Sequence, residues 1–233
     1  MRNRIKVLVI FAFLFSLFNH TTAQPNKMIQ LPAPDQESSN SLEKLISQRR
    51  SFRDFSAGSL SLSEISQVLW AAQGITSKVV IPEREIMLRS IPSAGALYPL
   101  EVFAVVKRVD DLDPGIYRYV PGPGIREHSL AQILSGDMNE NLADATLGQD
   151  CIKNCAVAII ISSVDNRVAV KYGERAHMYC LIETGHAGQN ICLQSNSLGL
   201  GAVTVGAFND KRLKRLIGHE AEPYYIVCIG KKD

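Results

Sequence analysis

Arg49-Arg50-Ser51-Phe52-Arg53-Asp54-Phe55 is the stretch on which the reading of this chain turns. Three arginines and a serine hydroxyl follow directly on an amphipathic run, Leu42 to Ser47. A guanidinium binds a phosphate through two parallel charge-assisted hydrogen bonds, and a nearby hydroxyl adds another. Neighbouring guanidinium groups repel one another, so the arrangement calls for an anion between them. The same residues also fit a solvated basic turn. The rest of the chain has to decide.

Upstream, Arg2, Arg4 and Lys6 make a basic start, Val7 to Phe18 is apolar, and Thr21-Thr22-Ala23 offers small residues for cleavage before Gln24. Residues 1–23 read as a signal peptide, because the apolar run is short of the ~20 residues a spanning helix needs. No cysteine follows to take a lipid, so an exported soluble protein, periplasmic or secreted, is expected. Cleavage would remove three of the 25 basic residues and none of the 23 acidic ones, leaving 22 against 23. The positive excess therefore belongs to the leader. No nucleic-acid partner is expected, since no sustained basic surface is left. Residues 24–40, with Pro25, Pro32 and Pro34 among polar side chains, read as a linker or surface arm. Residues 41–233 have the size of one domain with a full core.

Asn40-Ser41-Leu42-Glu43 has the spacing of a capping box and starts a first helix, which runs into the arginines. Ser61-Leu62-Ser63-Glu64 opens a second, with Ile65, Val68, Leu69 and Ala72 on one face and Gly74 at its end. Val79 to Leu88 carries no decisive period. Pro92-Ser93-Ala94-Gly95-Ala96 has almost no side chain over Ser93 to Ala96, so a flat ligand could approach the backbone. It also fits an ordinary turn before a strand. Strands are expected over Glu101 to Arg108 and Gly115 to Val120, short helices over Leu130 to Leu134 and Asn139 to Leu147, and a central strand over Ala156 to Ile161. Arg175 to Leu198 reads as one long buried helix, in which Gly185 and Gly188 suggest close packing against another helix. The glycines from Gly199 to Gly206 follow a helix and precede a strand, the reverse of a dinucleotide fingerprint. A short basic helix over Asp210 to Ile217 and a last strand over Pro223 to Ile229 complete the chain. The five cysteines, Cys151, Cys155, Cys180, Cys192 and Cys228, form no C-x-x-C and no metal-like pairing with histidine. No metal is expected, and the thiols read as mostly buried, with Cys151 and Cys155 the one pair close enough in sequence to raise a disulfide.

Seven segments, taken in order, resemble the nitroreductase-like flavoprotein superfamily and within it the SagB-type dehydrogenases. They are Arg49 to Phe55, Leu69-Trp70-Ala71-Ala72-Gln73-Gly74-Ile75, Pro92 to Pro99, Lys171-Tyr172-Gly173-Glu174-Arg175, Gly185-His186, Gly199-Leu200-Gly201 and Gly206-Ala207-Phe208. The resemblance implies an α+β fold: a central, mostly antiparallel sheet flanked by helices, with the long helix in a dimer core. It implies FMN at the interface of an intertwined homodimer. Arg49, Arg50 and Ser51 would hold the phosphate and Arg53 would lie near the pyrimidine edge, with Lys231 as a second basic residue for the phosphate. Pro92, Ser93, Ala94, Gly95 and Ala96 would line the ring or ribityl chain. Thr204, Val205, Gly206 and Ala207 would pass beside the redox edge. By the same resemblance Lys171 and Tyr172 are the catalytic candidates, since such a pair is implicated in azoline oxidation. A lysine there could act as a base if burial lowers its pKa. Both also fit surface and packing roles before the long helix. His186 reads as a packed or interface histidine.

The expected activity is an exported FMN-dependent oxidoreductase. It takes hydride from a nicotinamide or another donor and passes it to a nitro, quinone or enone compound. The alternatives are an azoline-type peptide dehydrogenase, which a signal sequence disfavours, and a flavin-binding protein without turnover.

Overall fold

The computed structural model describes residues 27–82 and 84–233, so the expected signal peptide lies outside the described residues. The sheet is built around β7 (Val157–Ser163), whose residues are all buried. A run with no polar face cannot sit at an edge, and β7 is paired along its whole length on both sides. One neighbour is β4 (Leu100–Val106) and the other β9 (Glu222–Gly230), both antiparallel. Beyond β4 come β5 (Gly115–Pro121), β6 (His128–Ser135) and β1 (Met28–Gln30); beyond β9 comes β8 (Gly201–Val205). Every pairing in this seven-stranded sheet is antiparallel.

Side chains alternate across the sheet, so β4 sends Val102 and Ala104 to one core and Phe103 and Val105 to the other. The first core is closed by α2 (Leu62–Gln73) and α6 (Ala176–Ser197), through Ile65, Val68 and Leu69 and through Ala187 and Ile191. The second is closed by α3 (Asn139–Ala145), α4 (Asp150–Asn154) and α7 (Asp210–Ile217), through Leu142, Ile152, Leu213 and Ile217. The α+β expectation, with a long helix against a mostly antiparallel sheet, is met.

Several local expectations change. The Leu130–Leu134 segment is not helical but lies within β6, hydrogen-bonded to β5 on one side and β1 on the other. Its Leu and Ala content favours a helix, and pairing on two edges overrides that preference. The unplaced residues form a hairpin of β2 (Ile75–Ile81) and β3 (Arg84–Arg89). The first helix, α1 (Leu42–Gln48), is capped by Ser41 and not Asn40, because the Ser41 hydroxyl accepts from Lys44 N while Asn40 is engaged with Lys44 Nζ and Ser197 O. At α2 the full capping box of Ser61 and Glu64 is present. Gly188 packs on the Tyr225 ring of β9 and not on a helix; a side chain there would stand 3.1 Å from that ring. All five cysteines are free, buried thiols, Cys151 and Cys155 included.

Two aromatic–glycine contacts fix the course of Arg49 to Phe55. Phe52 N donates to Ala202 O at 2.9 Å, and its ring covers Gly201, where a Cβ would come within 2.4 Å. Phe55 covers Gly230 in the same way, at 2.8 Å. The run therefore lies across the Gly201 end of β8 and the Gly230 end of β9.

The arm is a strand where it meets the sheet. β1 adds to β6, and beyond it Pro32 O meets the buried His128 Nε2 at 2.8 Å. Ser66 shares this site, and Tyr119 meets the other ring nitrogen at 2.8 Å. Burial holds His128 below the ordinary histidine pKa of 6.5, against the pull of the Pro32 carbonyl. A base held neutral in the fold supports it above its unfolded pKa, and that support is lost as the pH falls below that value. Urea midpoints measured from about pH 8 to about pH 5.5 should fall more steeply in the native chain than in His128→Asn, by at most ~1.4 kcal/mol per pH unit. Parallel profiles would show that His128 is not the titrating group.

Candidate active site

The loop ahead of β4 holds an unusual backbone. Gly95, Ala96 and Tyr98 have φ of 63°, 53° and 46°, and for the two residues with side chains this left-handed region costs ~1 kcal/mol or more each. Such a loop persists only where its surroundings fix it, and here a buried carboxylate does so. Glu183 on α6 accepts through Oε1 from Ser93 Oγ at 3.0 Å and from Ala94 N at 2.9 Å. Ser93 Oγ in turn accepts from Tyr98 N at 2.9 Å. Glu183 is 3% exposed and its Oε2 has no partner among the described residues. Burial raises its pKa, against the hydrogen bonds from Ala94 and Ser93.

Lys171 and Tyr172 close on the same loop. They end α5 (Asn166–Tyr172), a helix that the sequence reading did not foresee. A side chain at Gly95 would stand 3.0 Å from both Lys171 Nζ and Tyr172 Oη, so the missing Cβ is the space the two groups face. Tyr172 is set edge-on against Tyr179 of α6 at 5.0 Å between rings. Within one chain Lys171 remains exposed and Tyr172 half-buried. Pro92 is exposed, while Ser93, Ala94, Gly95 and Ala96 are half-buried.

The other candidates lie elsewhere. Arg50, Ser51 and Arg53 are exposed and Arg49 half-buried. Arg49 is close enough to Cys192 of α6 to act on its thiol, and Arg53 to Cys151 of α4, so the two guanidinium groups lie toward different cores. Lys231 Nζ donates to Glu64 Oε1 at 2.6 Å and is thereby committed to a carboxylate. Its neighbour Lys232, which the sequence reading passed over, lies over the Phe52 ring at 5.9 Å. Thr204 and Val205 end β8; Gly206 and Ala207 follow, exposed, with Ala207 O accepting from Gln149 Nε2.

Ser56 N reaches Lys231 O beyond the Gly230 end of β9, so the arginine run belongs to that end of the sheet. The Ser93–Tyr98 loop leads into Leu100, which pairs with Ser163, which pairs with Glu222 at the opposite end of β9. Nine residues of strand separate these ends by roughly 25 Å. One chain brings Ser93, Gly95, Lys171, Tyr172 and Glu183 together, and keeps the arginines apart from them. Glu183 was missed because it reads as one polar residue within a helix; the signal that could have found it is a carboxylate on the face carrying Cys180 and Ala187.

The pattern of the nitroreductase family matches residues 46–231, which includes both ends of this arrangement. The chain belongs to the nitroreductase family. It is 35% identical over 204 residues to a Methanocaldococcus jannaschii protein assigned as a nitroreductase, covering 88% of this chain and 97% of that one. A crystal structure from Anabaena variabilis, also assigned as a nitroreductase, superposes with a TM-score of 0.70 at 25% identity, over 89% of this chain and 42% of the other. The microcin B17-processing protein McbC of Escherichia coli is 28% identical over 51% of this chain and 44% of its own length. The nitroreductase-family chain thus spans less than half of two of these relatives. The likeness to McbC agrees with the SagB-type branch.

Glu183 supplies a test of the loop. A carboxyl whose pKa is raised by folding favours the fold most below its unfolded pKa, near 4.5, and that support is lost as the pH rises toward the folded value. Glu183→Gln keeps an acceptor without the charge, so it should melt higher than the native chain near neutral pH, with the gain shrinking towards pH 4.5. Glu183→Leu strands Ser93 Oγ and Ala94 N–H and should cost ~1–3 kcal/mol. Thermal melts across the pH range would reject the assignment if the Gln variant were the less stable at neutral pH.

Proposed function

We propose that this nitroreductase-family oxidoreductase is an FMN enzyme. It would pass hydride from a nicotinamide or other donor to a small organic acceptor such as a nitro, quinone or enone compound. The observation that carries this reading is the cradle at Gly95, where a left-handed loop presents bare backbone to Lys171 Nζ and Tyr172 Oη. The residues fit the cofactor. A flat ring can approach Ser93 to Ala96 because nothing larger than a methyl projects from Ala94, Gly95 or Ala96. Among the described residues, no carboxylate pairs with Arg49, Arg50 or Arg53. Arg49, Arg50 and Ser51 would bind the phosphate, with Arg53 towards the pyrimidine edge. Lys232 is better placed than Lys231 as the further cation, because Glu64 already holds Lys231. Thr204 to Ala207 would offer backbone groups to the redox edge.

Bound FMN would accept and release hydride at N5. The chain's own part is to orient the substrate and manage its proton. Lys171 Nζ and Tyr172 Oη are the proton-transferring groups at the cradle, and a partner subunit covering Lys171 would desolvate it. A homodimer also answers the separation of the two residue sets, with the arginines of one subunit and the Ser93 loop of the other completing one site. The outer face of α6 supports this. Met178, Leu181 and Ile182 are 40–48% exposed, and Gly185 beside them faces open space, as a close helix–helix approach requires. Removal of residues 1–23 would place the enzyme outside the cytoplasm.

A second reading, dehydrogenation of peptide azolines, is favoured by Lys171 and Tyr172 converging on one glycine and by the likeness to McbC. Turnover of small acceptors against azoline peptides separates the two.

The purified mature protein should be yellow and release FMN on heating. Arg49→Ala with Ser51→Ala should lose the flavin with its circular dichroism unchanged. Lys171→Met and Tyr172→Phe should keep the flavin and lose about a hundredfold or more in turnover. A colourless protein that takes up no added FMN would overturn the reading; full flavin occupancy in the double variant would remove the phosphate assignment alone.

A further inference from the structure

A second polar site lies where the sheet opens. The β4–β7 ladder runs the full length of β4, from Val106 back to Leu100, but the β4–β5 ladder stops at Phe103 and Arg118. Beyond that pair Leu100 to Val102 and Tyr119 to Pro121 stand apart, and a cavity of about 130 Å³ occupies the gap. Gln73, Arg89, Glu101 and Arg118 contribute its polar side chains.

The hydrogen bonds leave an excess of donors. Glu101, 8% exposed, has both oxygens engaged, Oε2 by Arg118 at 3.4 Å and Oε1 by Arg167 at 2.5 Å. Arg89 donates to Gln73 Oε1 and stacks on the Tyr98 ring at 4.7 Å, with no ion pair of its own among the described residues. Because Gln73 Oε1 accepts from Arg89, the amide orientation is fixed, and Nε2 is the end left over. That Nε2 is buried on a residue 1% exposed and has no partner among the described residues. Tyr119, the remaining polar side chain of the lining, is held by His128. Within the cavity lining, Arg89 and Arg118 stand beside the one carboxylate of Glu101, which Arg167 also engages from outside. The next carboxylate that Arg89 feels, Glu183, is turned to the Ser93 loop, and an orphan amide donor lies on the wall. Water could satisfy the amide but not the charge.

We propose that the cavity between β4 and β5 binds a small oxyanion, held by Gln73 Nε2 and the Arg89 guanidinium. The volume suits a carboxylate, a phosphate or a sulfate and nothing much larger. The site is distinct from the arginine run of Arg49 to Arg53 and does not depend on flavin. It borders the Ser93 loop, because Arg89 N also donates to the Tyr98 hydroxyl at 3.3 Å and Tyr98 N reaches Ser93. A carboxylate group of a substrate or a free phosphate could each supply the oxyanion.

Titration calorimetry of the full mature chain in a zwitterionic buffer, with acetate and inorganic phosphate as separate probes, tests this. Saturable binding of either is expected, and the stronger probe identifies the source. Gln73→Leu and Arg89→Met should each weaken it about tenfold or more, the scale of one lost charge-assisted hydrogen bond. The Arg49→Ala, Ser51→Ala double variant should bind as the native chain does. Arg89→Met removes a half-buried charge from a stacked site, so circular dichroism must accompany it; Gln73→Leu nearly conserves volume and stands as the independent variant. No saturable binding of either anion would overturn the proposal, as would binding that survives Gln73→Leu and vanishes in the double variant.

Discussion

β7 has no face to give to water. Its residues are buried on both sides of the sheet, and both of its edges are paired. That single constraint explains the layered form of the molecule, because a strand covered on both faces requires helices on both. α2 and α6 meet one side, and α3, α4 and α7 meet the other. It also explains why chemistry gathers at the two ends of the strands. The middle of β4, β7 and β9 is apolar, so the polar loops that flank these strands sit where the strands stop.

The two ends carry different electrostatic characters. At the Gly230 end, exposed and half-buried arginines with no carboxylate partner among the described residues lie on a backbone clamped by Phe52 and Phe55. At the Glu222 end, buried and half-buried carboxylates organise the polar groups. Glu183 holds the Ser93 loop, Glu101 holds two arginines, and Asp165 accepts from Tyr224 at 2.6 Å. The tyrosine and a histidine at Asp165 hold its pKa low, whereas the burial of Glu183 drives its pKa the other way. Two carboxyls on one end of one sheet are thereby tuned in opposite senses by their hydrogen bonds and their burial.

Much of this was legible in the sequence, for reasons that differ by element. The β7 run and α2 are set by local pattern: unbroken apolar length in one, and an apolar face behind a Ser–Glu box in the other. β6 was misread because its Leu and Ala content favours a helix, and only its two neighbours make it a strand. The approach of Lys171 and Tyr172 to Gly95 depends on α5 turning back over the loop, which no spacing in the chain reports. Lys231 is expected at the phosphate by resemblance alone, and its ion pair with Glu64, 167 residues away, has no signal in the sequence. Glu183 left only the faint sign of a carboxylate on an apolar helix face, and the Arg89 cavity left none, since its residues are drawn from distant segments.

The borders of the sheet have a consequence for assembly. On one side the three-residue β1 lies along β6, and Leu31 N continues the contact to His128 O. On the other, β8 is only five residues long, and the backbone of Phe52 meets it at Ala202. A short or occupied border is a poor template for strand addition by a neighbouring molecule. The seven-stranded sheet of this nitroreductase-family chain is thus guarded against the edge-to-edge growth that leads to aggregates, and the separate β2–β3 hairpin, with Val79 and Val80 exposed, is the strand pair outside that protection.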